Sequence, residues 1–108
     1  MIEPKLFDVV EILYTMEDEG LSSGAQGTIV EKLSSQAFMV EFINEHGETL
    51  ALPTVTRDQF IVVWQAATEQ DVPVADQVAQ IVRLLPRPAD TEVLNFARLV
   101  TGRQVLTP

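Results

Sequence analysis

In the first 64 positions, apolar residues come in short runs separated by polar or glycine-bearing breaks. Phe7–Tyr14 is apolar apart from Asp8 and Glu11. Gln26–Leu33 leads from a glycine into a β-branched stretch. Ala37–Ile43 alternates, with Phe38, Val40 and Phe42 on one side and Met39, Glu41 and Ile43 on the other. Glu48–Pro53 places Leu50 and Leu52 on one face, and Phe60–Trp64 is a run rich in Val and Ile. Strands this short, divided by turn residues, predict a small antiparallel barrel or sandwich.

The breaks have physical causes. Ser34–Ser35–Gln36 is a polar turn between two runs. Glu45–His46–Gly47 ends in a glycine able to take positive φ, which suits a three-residue hairpin with a bulge. Thr56–Arg57–Asp58–Gln59 is too short for an α-helix and fits one 3₁₀ turn. A long first loop, two hairpins, a tight helical turn and a last strand follow the plan of an SH3-like barrel of about five strands, spanning residues 1–64.

After Trp64 the period changes. Residues 65–72 are mostly polar and read as a linker. Over 73–108 the spacing predicts an αα-hairpin. Pro73 suits a first helical turn. Val74, Val78, Ile81, Val82 and Leu85 recur at helical offsets. Pro86 and Pro88 break this helix. Asp90 is a candidate N-cap for the second, with Val93, Phe96, Ala97 and Val100 on one side and Gly102 placed to end it. Isolated helices of this length are marginal in water, so both must bury apolar surface against each other, the barrel or another chain. Val74, Val78, Ile81, Val82, Leu85, Val93, Phe96 and Val100 are therefore the candidate helix interface, through which a homo-oligomer is expected.

Charge changes the picture further. The net charge is −9, with −8 in residues 1–65 and −1 in residues 66–108. Such a surface repels phosphates, so no nucleic-acid partner is expected. It attracts a basic protein instead. The candidate partner-binding residues are Glu17, Asp18 and Glu19 in the first loop, with Glu45 and Glu48 in the hairpin. Arg83, Arg87, Arg98 and Arg103 in the tail are diluted by Asp76, Asp90 and Glu92 and read as ordinary helix-surface charge. There is no cysteine, no apolar run of membrane-spanning length and no basic leader at the start, so a cytoplasmic protein is expected, with no membrane partner.

The stretch "SSGAQGTIVE", residues 22–31, tests for a phosphate cradle. A P-loop needs Gly-Lys-Ser/Thr opening a helix, whereas Gly27 is followed by Thr28–Ile29–Val30. Gly24 is therefore read as a left-handed turn, Gly27 as a bulge or close backbone approach, and Gly47 as the hairpin turn. His46, the one histidine, lacks partners at ligand or catalytic spacing. No EF-hand spacing surrounds the acids. No nucleophile with a base is visible, so no enzyme, metal or cofactor is expected. Tyr14 and Trp64 raise peptide binding, but with 6% aromatic residues Trp64 is read as cover for the junction of barrel and helices.

"KLFDVVEIL", "EGLSSGAQGTIVE", "VEFINEHGETLAL" and "RDQFIVV" occur in order over residues 5–63. Together they resemble a bacterial family, common in cyanobacteria, described as domain of unknown function 4926. The resemblance implies a small SH3-like barrel with a KOW-like corner and brings no established enzymatic activity to carry over. Members often lie beside genes for toxin-like proteins, which implies an antitoxin or immunity role. The tail "QVAQIVRLLPRPADTEVLNFARLVTGR" is similar to a helical pairing motif of small antitoxin-like proteins, with Pro86–Arg87–Pro88 replacing a longer charged turn. The functional expectation is a non-enzymatic protein-binding module that neutralises a basic partner such as a toxin. The alternative is a structural or regulatory subunit of a larger assembly.

Overall fold

The structure, a computed structural model, describes residues 1–106. Short apolar segments alternate with turns and give seven strands: β1 (Val9–Ile12), β2 (Gln26–Lys32), β3 (Ala37–Ile43), β4 (Thr49–Ala51), β5 (Thr54–Thr56), β6 (Phe60–Gln65) and β7 (Gln70–Asp71). Two helices follow, α1 (Val74–Leu84) and α2 (Ala89–Leu106). The strands form one antiparallel sheet in the order β4-β3-β2-β1-β6-β7, with β5 also on β3. The result is a small barrel-like domain followed by a pair of C-terminal helices. No helix among the described residues is long and apolar enough to cross a membrane.

Seven strands stand where about five were expected, for two reasons. β4 and β5 are one strand interrupted at Pro53. The pairings Phe42–Ala51 and Phe38–Val55 keep one register, and Pro53 O still accepts the Val40 N–H at 3.1 Å between them. Proline has no N–H of its own to give the ladder. The other addition is β7, in the stretch read as a linker. Gln65 ends β6, Trp64 and Gln65 pair with Asp71 and Gln70, and Val72 joins the core at 2% exposure.

The alternation within β3 sets the core. Phe38, Val40 and Phe42 are buried with Val10, Ile12, Ile29, Val55, Phe60 and Val62. Phe38 and Phe60 meet edge to face, with centroids 5.5 Å apart. Burying side chains of this size contributes about 1.5–3 kcal/mol each. Leu50 and Leu52 share the outer face, because Ala51 between them points inward opposite Phe42. Gly27 is held by close approach rather than by its φ. A Cβ there would lie 2.7 Å from Val40 Cγ1 and 2.8 Å from Glu41 O. Gly24 has φ +96° and Gly47 φ +80°, the left-handed conformations that suit tight turns. The 3₁₀ turn Arg57–Gln59 carries a capping box, in which Gln59 Oε1 accepts the Thr56 N–H at 2.9 Å.

α1 packs against the edge of β6. In the β1–β6 ladder, Leu13 N–H donates to Gln59 O, and Val10 faces Val62 as a non-hydrogen-bonded pair. The N–H and C=O of Val62 therefore point outward from the ladder. Gln80 meets both. Its Oε1 accepts the Val62 N–H at 2.7 Å, and its Nε2 donates to Val62 O at 2.8 Å. One side-chain amide thus replaces a neighbouring strand at an otherwise open edge. Arg57 covers the next group along that edge, donating to Phe60 O at 3.0 Å with its guanidinium 5.2 Å from the Phe60 ring centroid. Burial lowers the Arg57 pKa below its ordinary value.

Two sequence readings of the second helix are corrected. Asp90 lies inside the first turn of α2 rather than at its N-cap, and its Oδ1 accepts the Thr91 N–H at 2.8 Å. Gly102 does not end the helix, which runs on to Leu106. Glycine commonly ends a helix by taking the left-handed conformation, and Gly102 does not take it.

Candidate interaction surfaces

Glu17, Asp18 and Glu19 form the 3₁₀ tip of the first loop. Below them the loop closes on itself: Met16 N–H donates to Leu21 O at 2.8 Å, and Leu21 N–H donates back to Met16 O at 3.1 Å. Leu21 is buried in the core, and Gly20, at φ +68°, turns the chain between tip and closure. Ser23 ties the returning arm, its hydroxyl donating to Leu13 O at 2.9 Å. Three exposed carboxylates are thereby presented on an anchored turn.

Glu45 and Glu48 lie in the β3–β4 hairpin, which Asn44 organises. Asn44 Oδ1 accepts the backbone N–H groups of His46 at 2.8 Å and Glu48 at 3.0 Å, and its Nδ2 donates to Glu48 Oε1 at 3.2 Å. Gly47 N–H donates to Asn44 O at 3.0 Å, closing the turn before the left-handed Gly47. His46 is exposed and lies 3.7 Å from the Glu45 carboxylate.

The sheet register relates the two acidic turns. Thr28 pairs with Val9 on one side and Glu41 on the other. From that row β1 and β3 run in the same direction, so the loop holding Glu17–Glu19 and the hairpin holding Glu45 and Glu48 leave the sheet at one end. Neighbouring strands lie about 4.8 Å apart, so the strands that launch them are about 10 Å apart. Among the described residues, no lysine or arginine pairs with these five acids.

The helix residues expected at an interface divide. Ile81, Val82, Leu85, Val93 and Val100 are half-buried, while Val74 (76%), Val78 (43%) and Phe96 (62%) are exposed. The docked face of α1 is not the apolar stripe but its neighbour, which holds Gln77 and Gln80. Gln77 Nε2 donates to Val72 O at 2.9 Å. Val78 and Val82 of the stripe instead border an open, mostly apolar groove of about 420 Å³ between the helices, whose α2 side is formed by Asp90, Thr91, Val93, Leu94 and Ala97. No residue of α2 from Ala89 to Arg103 is buried.

Trp64 is half-buried at the junction of barrel and helices. It lines an open depression of about 760 Å³ with Val9, Val72, Pro73 and Gln77, whose one ionisable side chain is Asp71. Tyr14 is exposed. No group of three or more His, Cys, Asp or Glu among the described residues is arranged to hold a metal ion.

Asp8 is the site that sequence reasoning missed. It is 2% exposed, and its carboxylate accepts the Lys5 N–H at 3.0 Å and the Ala66 N–H at 2.9 Å. It staples the N-terminal turn to the β6–β7 turn, 58 residues away in sequence. An acid inside an apolar run was the available signal.

Residues 6–62 match the model of a family described as a domain of unknown function, DUF4926. Comparison with curated proteins and with solved structures brings out no match.

Proposed function

The chain belongs to the DUF4926 family, and from that premise we propose that it is a non-enzymatic protein-binding module whose acidic end takes a basic protein partner, in the manner of an antitoxin or immunity protein. The observation that carries this reading is the pair of acidic turns leaving the sheet at one end, their carboxylates without a lysine or arginine partner among the described residues. A basic active site covered by that end would be blocked by bulk and neutralised in charge. Exposed acids of this kind act chiefly on the rate of encounter, which they raise most at low salt.

The test is affinity capture from the native cell extract, by wild type and by a variant carrying Glu17→Lys, Asp18→Lys and Glu19→Lys. The expected result is a small basic protein held by wild type at low salt, released by high salt and absent from the variant, with both baits melting at the same temperature. The captured protein is then assayed for toxicity with and without wild type. Capture indifferent to salt and to the charge reversal would overturn the acidic surface as the contact. Subunits of one large assembly, retained by both baits, would favour the rival reading of a structural or regulatory subunit.

A further inference from the structure

α2 carries apolar residues on two sides, and only one side faces α1. Val93, Leu94 and Ala97 border the groove shared with α1. The other side holds Glu92, Phe96, Leu99 and Arg103, all exposed, with Phe96 at 62% and Leu99 at 59%. These four are spaced by four, three and four residues. At about 100° per residue they fall within an arc of about 60°. The Arg103 guanidinium lies 5.8 Å from the Phe96 ring centroid, which places both on one side of the helix.

The order of this stripe is self-complementary. Read from the helix start it runs acid, aromatic, aliphatic, base. Read from the end it runs base, aliphatic, aromatic, acid. We propose that this face of α2 is a dimer interface that takes a second copy of the chain, with the two α2 helices antiparallel about a twofold axis. The axis passes between Phe96 and Leu99. Glu92 then faces Arg103 of the second copy, and Phe96 faces Leu99 of the second copy, each pair occurring twice. This is the isologous arrangement of a twofold interface, in which residue i meets j and j meets i. A parallel pair would set Glu92 against Glu92 and Arg103 against Arg103, so charge fixes the antiparallel direction. Charge also favours a like partner. Residues 66–108 carry a net charge of only −1, whereas residues 1–65 carry −8.

The inference is independent of what the acidic end binds, and it is tested on the full chain by sedimentation equilibrium across micromolar concentrations. Wild type is expected to show a reversible monomer–dimer equilibrium. Phe96→Ser should leave a monomer with unchanged helix content and barrel melting. Glu92→Arg and Arg103→Glu should each weaken dimerisation about tenfold or more, because each sets like charges together twice. An equimolar mixture of the two single variants should regain association as a heterodimer, since both positions again pair opposite charges, one pair in its original sense and the other reversed. A wild type that stays monomeric throughout overturns the proposal. So does a dimer that survives Phe96→Ser, or a mixture of the charge variants that fails to associate.

Discussion

Replacing Gln80 by leucine tests how the helices are fixed to the sheet. The side chain is 2% exposed and makes two hydrogen bonds, at 2.7 and 2.8 Å, to the N–H and C=O of Val62. Leucine removes both partners while α1 still covers the edge. Each buried backbone group left unsatisfied costs about 1–3 kcal/mol. The added apolar contact returns about 1 kcal/mol. The net loss is therefore about 3 kcal/mol, or a fall of roughly 10–20 °C in melting temperature for a chain of this size. Amide hydrogen exchange localises the effect. The Val62 amide should lose more protection than the amides bonded across the β1–β6 ladder, which fall only by the loss of global stability.

Gln80→Glu sharpens the same test. At neutral pH a carboxylate would face Val62 O with no proton to offer, and the variant should lose at least as much stability as the leucine form. A protonated carboxyl offers both a donor and an acceptor and restores both bonds. Folding thus favours the protonated form and raises the introduced group's pKa above the unfolded value of about 4.3. The restored stability is present in full below about pH 4.3 and lost as pH rises through the folded pKa. The difference between variant and wild type, measured at each pH by denaturant unfolding, should be small near pH 4 and large at pH 7. A leucine variant within about 0.5 kcal/mol of wild type, or a glutamate variant with a pH-independent deficit, would refute the account of Gln80 as a substitute strand.

Two further predictions concern the barrel. Gly27→Ala should destabilise it by about 1–3 kcal/mol, because the new Cβ meets the Glu41 carbonyl at 2.8 Å and backbone does not yield as a side chain does; an unchanged denaturation midpoint would remove the close-approach reading. Asp8→Ala should cost about 2–4 kcal/mol by leaving the Lys5 and Ala66 N–H groups without their acceptor, and the loss should register as faster exchange of the Ala66 amide.

Much of the barrel was legible because the signals were local. Phe38, Val40 and Phe42 announced the inner face of β3 by alternation alone, and Gly47 after Glu45 and His46 marked the hairpin. Thr56 and Gln59, three apart, form a capping box within reach of each other. What escaped was the structure that depends on a distant partner. Gln70–Asp71 is two polar residues long and becomes a strand only because the edge of β6 is there to receive it. Asp8 looked like a mere interruption, since its second partner is the backbone of Ala66. The docking of α1 was hidden for a related reason. Periodicity located the apolar stripe of Val74, Val78, Ile81, Val82 and Leu85, but an open strand edge needs a donor and an acceptor that no apolar side chain has. Gln80 supplies both, so α1 docks by its glutamine face and leaves Val78 and Val82 of the stripe bordering the groove. The placement of Glu17–Glu19 with Glu45 and Glu48 at one end of the sheet likewise follows from register, which the loops themselves do not encode.

The division of charge along the chain gives the two proposed surfaces a physical relation. A molecule of net charge −9 resists self-association wherever its acids approach each other. At physiological ionic strength that repulsion fades beyond about 8 Å. Self-association is therefore confined to a segment near neutrality that can hold the acidic barrels further apart than this. α2 meets the first condition through its balanced Glu92 and Arg103. It meets the second by length, because an 18-residue helix spans about 27 Å at 1.5 Å per residue and none of its residues from Ala89 to Arg103 is sunk into the barrel. The molecule is correspondingly elongated, 47 by 31 by 30 Å. An antiparallel pair of such helices would carry one acidic end on each copy, and a basic partner that offers two sites would be held by both at once. The gain then comes from effective concentration and needs no new contact. Charge reversal at Glu17–Glu19 and truncation of Phe96 should accordingly act on separate steps, the first on the encounter with the partner and the second on the number of acidic ends each assembly presents.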